Sequence, residues 1–298
     1  MIYLMIALTS IIILIISGER GLRLRPSTLA SAREKGFGFR FLYLYFYMRW
    51  TSVYLRIVRA LLPWLARVKD VHHLADGYHA KVLSPELAKK LILTDKHVHI
   101  HDLEQIIPYP AARQLVLDHP LDIVVTECPC RKISPHPCSP SKVCMVVGKP
   151  FTDFVLEHHP DTSKRLSQQE ALDLLAEVHQ QGCVHSAYFK DICFDRFYVM
   201  CNCCKCCCMG IKAMNQYGVP AVASSGYTAR ISEELCVHCG NCSEACPFAA
   251  ISPNRTFDPD KCMGCGVCVT KCKRGAISLE LDASKGIPLD IYKLSSLN

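Results

Sequence analysis

The chain has 298 residues, of which 50% are hydrophobic and 20 are cysteines. This length excludes a small secreted scaffold held by disulfides, and the eight cysteines whose spacing below requires thiolates indicate a reducing compartment. The formal net charge is +7, but residues 1–70 contain 11 Lys and Arg against 3 Asp and Glu, whereas the remainder contains 23 against 24. The basic charge therefore belongs to the N-terminal segment, and nucleic-acid binding is not indicated.

Residues 1–17 carry no charge, and Arg20, Arg23 and Arg25 follow them. The pattern predicts a single transmembrane anchor over residues 1–19, with the N-terminus outside and the body of the chain in the cytoplasm. A cleaved signal peptide fits less well, because it needs a basic start and a small-residue cleavage site. A buried or interfacial helix is the other alternative.

Residues 20–70 are basic and aromatic, with a second apolar stretch over residues 41–65. Three arginines and Ser52 recur in this stretch at steps of three and four, so they share one face of a helix. The pattern predicts a helix at the membrane interface, with the arginines on lipid phosphates. A core helix of the soluble body is the alternative. The arginines are Arg49, Arg56 and Arg59.

Residues 71–226 form a mixed middle segment. Ser84 followed by Pro85 predicts a helix start, and Leu103–Leu117 suggests a further helix, interrupted by prolines. Ser167 and Glu170 form a capping box that opens a helix running to about Gln181. The runs from Leu121 to Glu127 and from Phe197 to Met200 read as two buried strands. Both predicted strands deliver the chain directly to cysteines.

Ten cysteines follow these two strands: Cys128, Cys130, Cys138, Cys144, Cys201, Cys203, Cys204, Cys206, Cys207 and Cys208. This density exceeds what packing alone explains, and the ends of two strands can meet at one sheet edge. We predict a metal site, an iron–sulfur cluster rather than zinc, with one or two clusters. The first four cysteines make one complete quartet, and the last six are alternatives or a second set. Arg131 offsets cluster charge or is simply a surface arginine.

The C-terminal part contains two consecutive cysteine quartets with the spacing C-x2-C-x2-C-x3-C, repeated 26 residues apart. In each quartet three thiolates reach one cube and the fourth serves the other cube. We therefore predict two [4Fe–4S] clusters in a crossed arrangement. Cluster one takes Cys236, Cys239, Cys242 and Cys272, and cluster two takes Cys262, Cys265, Cys268 and Cys246.

These quartets resemble the bacterial dicluster ferredoxins over residues 227–282. The sequence departs from that family at Lys273, where a proline is usual. From about Ile106 onward the chain also resembles larger bacterial ferredoxin-type proteins, in which a C-x-C-R segment and a C-N-C-C-x-C-C segment precede the dicluster domain. That resemblance implies additional clusters and redox work, without defining a reaction.

Together these features predict an α+β protein with an N-terminal transmembrane helix (1–19), an interface segment (20–70), a cysteine-rich mixed α/β middle domain (71–226) and a ferredoxin-like dicluster domain with its tail (227–298). The leading hypothesis is a membrane-anchored electron carrier that relays single electrons between a soluble donor and a membrane or partner redox component. One alternative is a reductase whose middle-domain site acts on a disulfide or small substrate. A scaffold that stores or transfers iron–sulfur units is the other.

Overall fold

The computed structural model describes residues 23–36, 38–68, 78–100, 115–254 and 256–294, together with residues 15, 18, 19, 70, 103 and 106. The described helices are α1 (Pro26–Lys35), α2 (Phe39–Arg49), α3 (Thr51–Val68), α4 (Pro85–Ile92), α5 (Pro129–Lys132), α6 (Phe151–His158), α7 (Gln168–Gln180), α8 (Met209–Tyr217), α9 (Asn241–Ala245), α10 (Val267–Lys271) and α11 (Ile291–Leu294). The described strands are β1 (Tyr78–Leu83), β2 (Val98–Ile100), β3 (Leu115–Leu117), β4 (Ile123–Glu127), β5 (Lys142–Val147), β6 (Ser163–Leu166), β7 (Val184–Lys190), β8 (Arg196–Cys203), β9 (Val222–Ala223), β10 (Tyr227–Ile231) and β11 (Ile277–Leu281).

The middle of the chain is built on a seven-stranded sheet in the order β6-β4-β5-β8-β7-β1-β9. Neighbouring strands are antiparallel except β1 and β9, which are parallel. Its central strands are apolar on both faces, and every residue of β7 is buried. Successive side chains of a strand point to opposite faces, so Val146 enters one core cluster and Met145 and Val147 enter the other.

The sheet therefore lies between two layers. On one face, α2, α6 and α8 pack over the valines and tyrosines of the central strands. On the other face, α4 and α7 cover the second core cluster. Two small antiparallel sheets, β2-β3 and β10-β11, complete the described part of the architecture, and β10-β11 belongs to the C-terminal domain.

The structure corrects the predicted fold class at its N-terminus. Among the described residues, no helix combines the length and apolar character needed to cross a bilayer. What the structure describes is a mixed α/β body with a large sheet. Most of the predicted anchor lies outside the described residues, but Glu19 at its end is 4% exposed and accepts a hydrogen bond of 2.8 Å from Thr28 Oγ1. Because this carboxylate is buried and hydrogen-bonded within the protein, this end of the predicted anchor packs on the body and does not lie in lipid.

The two helices of the interface segment differ in their surroundings. Helix α2 buries Phe41, Leu44, Tyr45, Tyr47 and Met48 against the body. Helix α3 instead leaves an apolar stripe exposed, at positions four, four and three residues apart. The stripe consists of Val53, Ile57, Leu61 and Trp64. The membrane-interface assignment for residues 20–70 stays a prediction.

Most predicted elements of the middle segment are confirmed. Ser84 caps α4 by accepting from Leu87 N, and Ser167 and Glu170 form the complete capping box of α7. The two predicted strands correspond to β4 and β8. The helix suggested over Leu103–Leu117 is wrong at its end, because residues 115–117 pair with β2 as a strand. Their alternating burial matches the period of two of a strand better than a helical period.

Candidate metal centres

The cysteine loops of the C-terminal domain turn sharply into α9 and α10. Gly240 and Gly266 precede these helices with φ of 80° and 77°, a left-handed conformation that favours glycine. At Gly264, an added Cβ would lie 2.7 Å from the carbonyl carbon of Tyr227. The backbone of the second loop is therefore packed too closely against β10 to accept a side chain there.

The structure brings the eight C-terminal cysteines together in two groups. A cavity of about 260 Å³ is lined by Cys236, Cys239, Cys242 and Cys272. A second, smaller cavity is lined by Cys246, Cys262, Cys265 and Cys268. These are the same two groups of four as in the crossed ligand prediction, and each contains one cysteine from the opposite quartet.

The surroundings of these thiols suit clusters. Backbone N–H groups of Ala250 and Ala276 donate to Cys246 Sγ and Cys272 Sγ, each at 3.3 Å, as they do to cluster-ligating thiolates. Burial raises the pKa of the Cys268 thiol to about 12. A cationic iron centre offsets that penalty by stabilising the thiolate, so the residues present fit [4Fe–4S] clusters.

Six of the ten middle cysteines lie close together in a closed ring, in which each thiol neighbours two others. In order around the ring they are Cys128, Cys144, Cys201, Cys203, Cys208 and Cys130. The junction of β4 and α5 supplies two of them, β5 supplies one, and the end of β8 with the residue before α8 supplies three. Hydrogen bonds from neighbouring thiols hold the pKa of Cys128 and of Cys208 well below the usual range.

The other four form a second group, whose ligand atoms all lie within 4.8 Å of one another. They are Cys138, Cys204, Cys206 and Cys207. The sulfurs of Cys138 and Cys206 are in direct contact, but their Cα atoms are 7.6 Å apart, which is wider than disulfides usually span. This spacing favours four thiolates around a metal over a disulfide.

The grouping differs from the predicted first quartet. Cys138 lies apart from Cys128, Cys130 and Cys144, because the loop between α5 and β5 carries it to the segment that follows β8. Sequence reasoning did not find this partition. The only signal for it in the sequence is the alternation of Cys201, Asn202 and Cys203 along β8, which places both cysteines on one face of the strand.

Arg131 lies beside the ring and is 1% exposed. It donates to Pro140 O, and its Nη2 donates to Cys183 Sγ at 3.3 Å. Among the residues that the structure describes, no carboxylate forms an ion pair with it, and its nearest partners in charge are Cys183, Cys204 and Cys128. A buried guanidinium is stabilised by nearby negative charge, which thiolates bound to a metal centre here would supply. This position excludes the surface alternative for Arg131.

A chain of hydrogen bonds connects the C-terminal domain to the ring. Thr270 Oγ1 lies 2.7 Å from His179 Nε2, and His179 Nδ1 lies 3.1 Å from His185 Nε2. His185 Nδ1 is 2.6 Å from Asn202 Oδ1, and Asn202 Nδ2 donates to Val143 O at 2.7 Å.

The direction of donation along this chain follows from its last two members. The amide of Asn202 donates to Val143 O, so its Oδ1 accepts from His185 Nδ1. Burial lowers the pKa of His185 to about 3, so its ring is neutral and its Nε2 accepts from His179. This series of hydrogen bonds begins at Thr270, between Cys268 and Cys272, and reaches Asn202, between Cys201 and Cys203.

The ring forms part of the wall of a cavity of about 350 Å³. Its lining also includes the turn between α2 and α3, from Tyr47 to Val53, and further residues of β5 and β8. Most of the lining is apolar. All six thiols of the ring line this cavity, so a metal centre that they hold would occupy part of it.

The family model of the 4Fe–4S binding domain matches residues 229–252 and 255–278. No curated protein and no solved structure matches the chain. The match falls on the two C-terminal cysteine groups described above. The C-terminal segment is therefore a ferredoxin-type 4Fe–4S domain, and the protein has an iron–sulfur electron-transfer role.

Proposed function

We propose that the protein is a multi-centre electron relay, in which the C-terminal domain exchanges single electrons with a further iron–sulfur centre held by the six-thiol ring. The ring is the observation that carries the proposal. Six thiols, four of them in buried residues, converge beside a buried guanidinium, and thiolate ligands with a cationic neighbour suit an anionic iron–sulfur centre.

The hydrogen-bonded chain from Thr270 to Asn202 supports the coupling of the two parts. Thr270 lies in α10 between Cys268 and Cys272, whereas Asn202 lies between two cysteines of the ring. Two further contacts hold the domains together. Lys205 Nζ donates to Glu244 O at 2.9 Å, and Asn215 Nδ2 donates to Pro247 O at 2.8 Å.

A soluble redox protein is the proposed donor to this relay, and cluster one is its proposed entry point. Cys239 is exposed, and the same loop exposes the side chains of Leu235 and Val237 by 51% and 56%. Exposed apolar side chains next to a redox centre suit a transient protein contact. Electrons would pass from cluster one to cluster two and then to the ring.

Iron and sulfide counting with EPR on anaerobically purified protein tests the relay. We expect more than eight irons per chain, and we expect Cys201→Ser to remove the additional iron and its EPR signal while the two C-terminal clusters remain. Cys193→Ser is the matched control, because Cys193 is buried outside both cysteine groups. About eight irons in the parent protein would refute the proposal.

A reductase is the second candidate function, and the cavity that borders the ring favours it. In that case the relay ends on a small molecule instead of a partner protein. The distinguishing measurement is whether the reduced protein is oxidised by a small acceptor alone, without any added protein.

A further inference from the structure

We propose that the four-thiol group of Cys138, Cys204, Cys206 and Cys207 binds a single zinc ion, separate from the iron–sulfur centres. This inference does not depend on the proposed relay, because the four thiols belong neither to the six-thiol ring nor to the C-terminal cysteines. The spacing of the sulfurs, the turn that carries three of them and the neighbouring charge support one ion rather than a cluster.

The four sulfurs are too close together to surround a cluster. All of them lie within 4.8 Å of one another, and Cys207 Sγ is 3.5 Å from Cys138 Sγ and 3.6 Å from Cys206 Sγ. Four thiolates around one zinc ion lie about 3.8 Å apart, because each Zn–S bond is about 2.3 Å long and the geometry is tetrahedral. The ligand sulfurs of a [4Fe–4S] cube lie roughly 6 Å apart, because each binds a different iron. The group therefore matches one ion.

The other cysteines of the chain provide a comparison. In the described part of the chain, no other three cysteine, histidine or carboxylate ligands are gathered so compactly. The C-terminal cysteines line two cavities, and the six thiols of the ring line the cavity of about 350 Å³. Of the four-thiol group, only Cys204 lines one of these three cavities. The cavities thus accompany the predicted clusters, whereas the four-thiol group already has the size of a site for one ion.

Three of the four ligands come from one tight turn between β8 and α8. Cys204 and Cys207 have the C-x2-C spacing that is typical of zinc ligands, and Cys206 lies between them. Cys208 N donates to Cys204 O at 3.2 Å, which closes the turn. The backbone N–H of Cys207 donates to Cys204 Sγ, and such a bond stabilises a metal-bound thiolate. The loop between α5 and β5 supplies the fourth ligand, Cys138.

Zinc is the ion that this ligand set favours. Four thiolates in a tetrahedron suit zinc or iron, and divalent zinc binds such ligands more tightly than ferrous iron does. The four thiolates carry two more charges than a divalent ion neutralises. Arg131 is a buried cation that has Cys204 among its partners in charge. The guanidinium therefore stabilises a zinc–thiolate site as well as the ring.

A zinc ion at this position has a structural role, because it does not change its oxidation state. Cys203 and Cys208, which belong to the ring, flank the zinc-binding turn in the sequence. Zinc would hold this turn to the loop of Cys138, and so fix the backbone from which the ring thiols project. The same turn contacts the C-terminal domain, where Lys205 Nζ donates to Glu244 O at 2.9 Å.

Metal analysis of the full-length protein tests the site. The protein is produced with both iron and zinc supplied, purified anaerobically and dialysed against EDTA to remove loosely bound metal. We expect one zinc per chain, and we expect zinc K-edge X-ray absorption to show four sulfur neighbours at about 2.3 Å. Absence of zinc after dialysis, another metal in its place, or a zinc ion bound mainly by oxygen and nitrogen would overturn the proposal.

A variant connects the zinc to the four thiols. Cys138→Ser removes the ligand that comes from the separate loop, and we expect its zinc content to fall below about a tenth of the parent value. Cys193→Ser is the matched control and should keep its zinc, because Cys193 is buried outside both cysteine groups. The EPR signals of the C-terminal clusters show whether the variant is folded, and the absorption spectrum of the parent protein tests the site without any variant. Full zinc content in Cys138→Ser would overturn the proposal.

Failure of the zinc site and failure of the relay can be told apart, because iron and zinc are counted in the same sample. A protein with more than eight irons and no zinc overturns the zinc site and leaves the relay standing. A protein with one zinc and about eight irons overturns the relay and supports the zinc site.

Discussion

Arg131 provides the sharpest test of the six-thiol ring, because it is a buried cation whose partners in charge are thiols. We consider Arg131→Met, which retains the aliphatic stem and removes the guanidinium. Reduction of the centre adds one negative charge, and the guanidinium stabilises that charge. The reduction potential of the ring centre should therefore fall in the variant.

The magnitude follows from the position of the charge. A unit charge within about 4–6 Å shifts a protonation equilibrium by about 1–3 pKa units, or about 1.4–4 kcal/mol. Arg131 Nη2 lies 3.3 Å from Cys183 Sγ, and the cysteine three positions before Arg131 belongs to the ring. For a one-electron couple about 1.4 kcal/mol corresponds to about 59 mV, so we expect a fall of about 60–180 mV.

The assay is an anaerobic redox titration followed by EPR, with the C-terminal clusters as internal references. Arg131→Lys keeps the charge and should retain most of the potential. Lys132→Met is the neighbouring control, because Lys132 is half exposed and paired with Glu127. A ring potential that stays within about 20 mV of the parent value, in a variant with unchanged iron content, would refute the assigned role of Arg131.

The remaining predictions concern the bridge and the C-terminal loops. Thr270→Val removes the hydroxyl that donates to His179. We expect the free energy of unfolding to fall by about 1 kcal/mol, and the ring centre to be reduced more slowly in rapid-mixing EPR. An unchanged rate of reduction would contradict a role of this hydrogen-bonded chain in the coupling. The buried imidazole of His185, with its pKa lowered to about 3, takes up no proton as the pH falls below the unfolded pKa of about 6.5. The contribution of His185 to the free energy of unfolding therefore declines by about 2 kcal/mol from pH 7 to pH 5. Denaturant titrations of His185→Leu should show a free energy of unfolding that depends less on pH over this range. The same pH dependence in the variant and the parent protein would disprove this role. Gly264→Ala places a Cβ against the backbone of Tyr227. We expect the variant to lose cluster two, measured as a loss of about four irons per chain. Full iron content would show that the loop tolerates the side chain.

The sequence predicted local features well, because each depends on neighbours along the chain. The capping box at Ser167 and the buried strand before Cys128 are signals of this kind. The partition of the ten middle cysteines could not be predicted, because it depends on which strands are adjacent in the sheet. Strand β5 lies between β4 and β8, and this order brings Cys144 to the ring and leaves Cys138 outside it.

The packing of α2 against the body could not be decided from the sequence either. An apolar run predicts burial but does not distinguish lipid from protein as the surroundings. Helix α2 shows the difference, because its aromatic face packs on Tyr198 and Phe154 of the body. The localisation and the membrane partner stay predictions.

The interleaving of the two middle cysteine groups has a consequence for biogenesis. Within eight consecutive residues, Cys201, Cys203 and Cys208 face one group, whereas Cys204, Cys206 and Cys207 face the other. The same short backbone thus shapes both sites. Metal binding by one group would order the backbone that carries the ligands of the other group, so that binding at the two sites would be coupled. A one-residue insertion after Cys204 would then impair both sites at once.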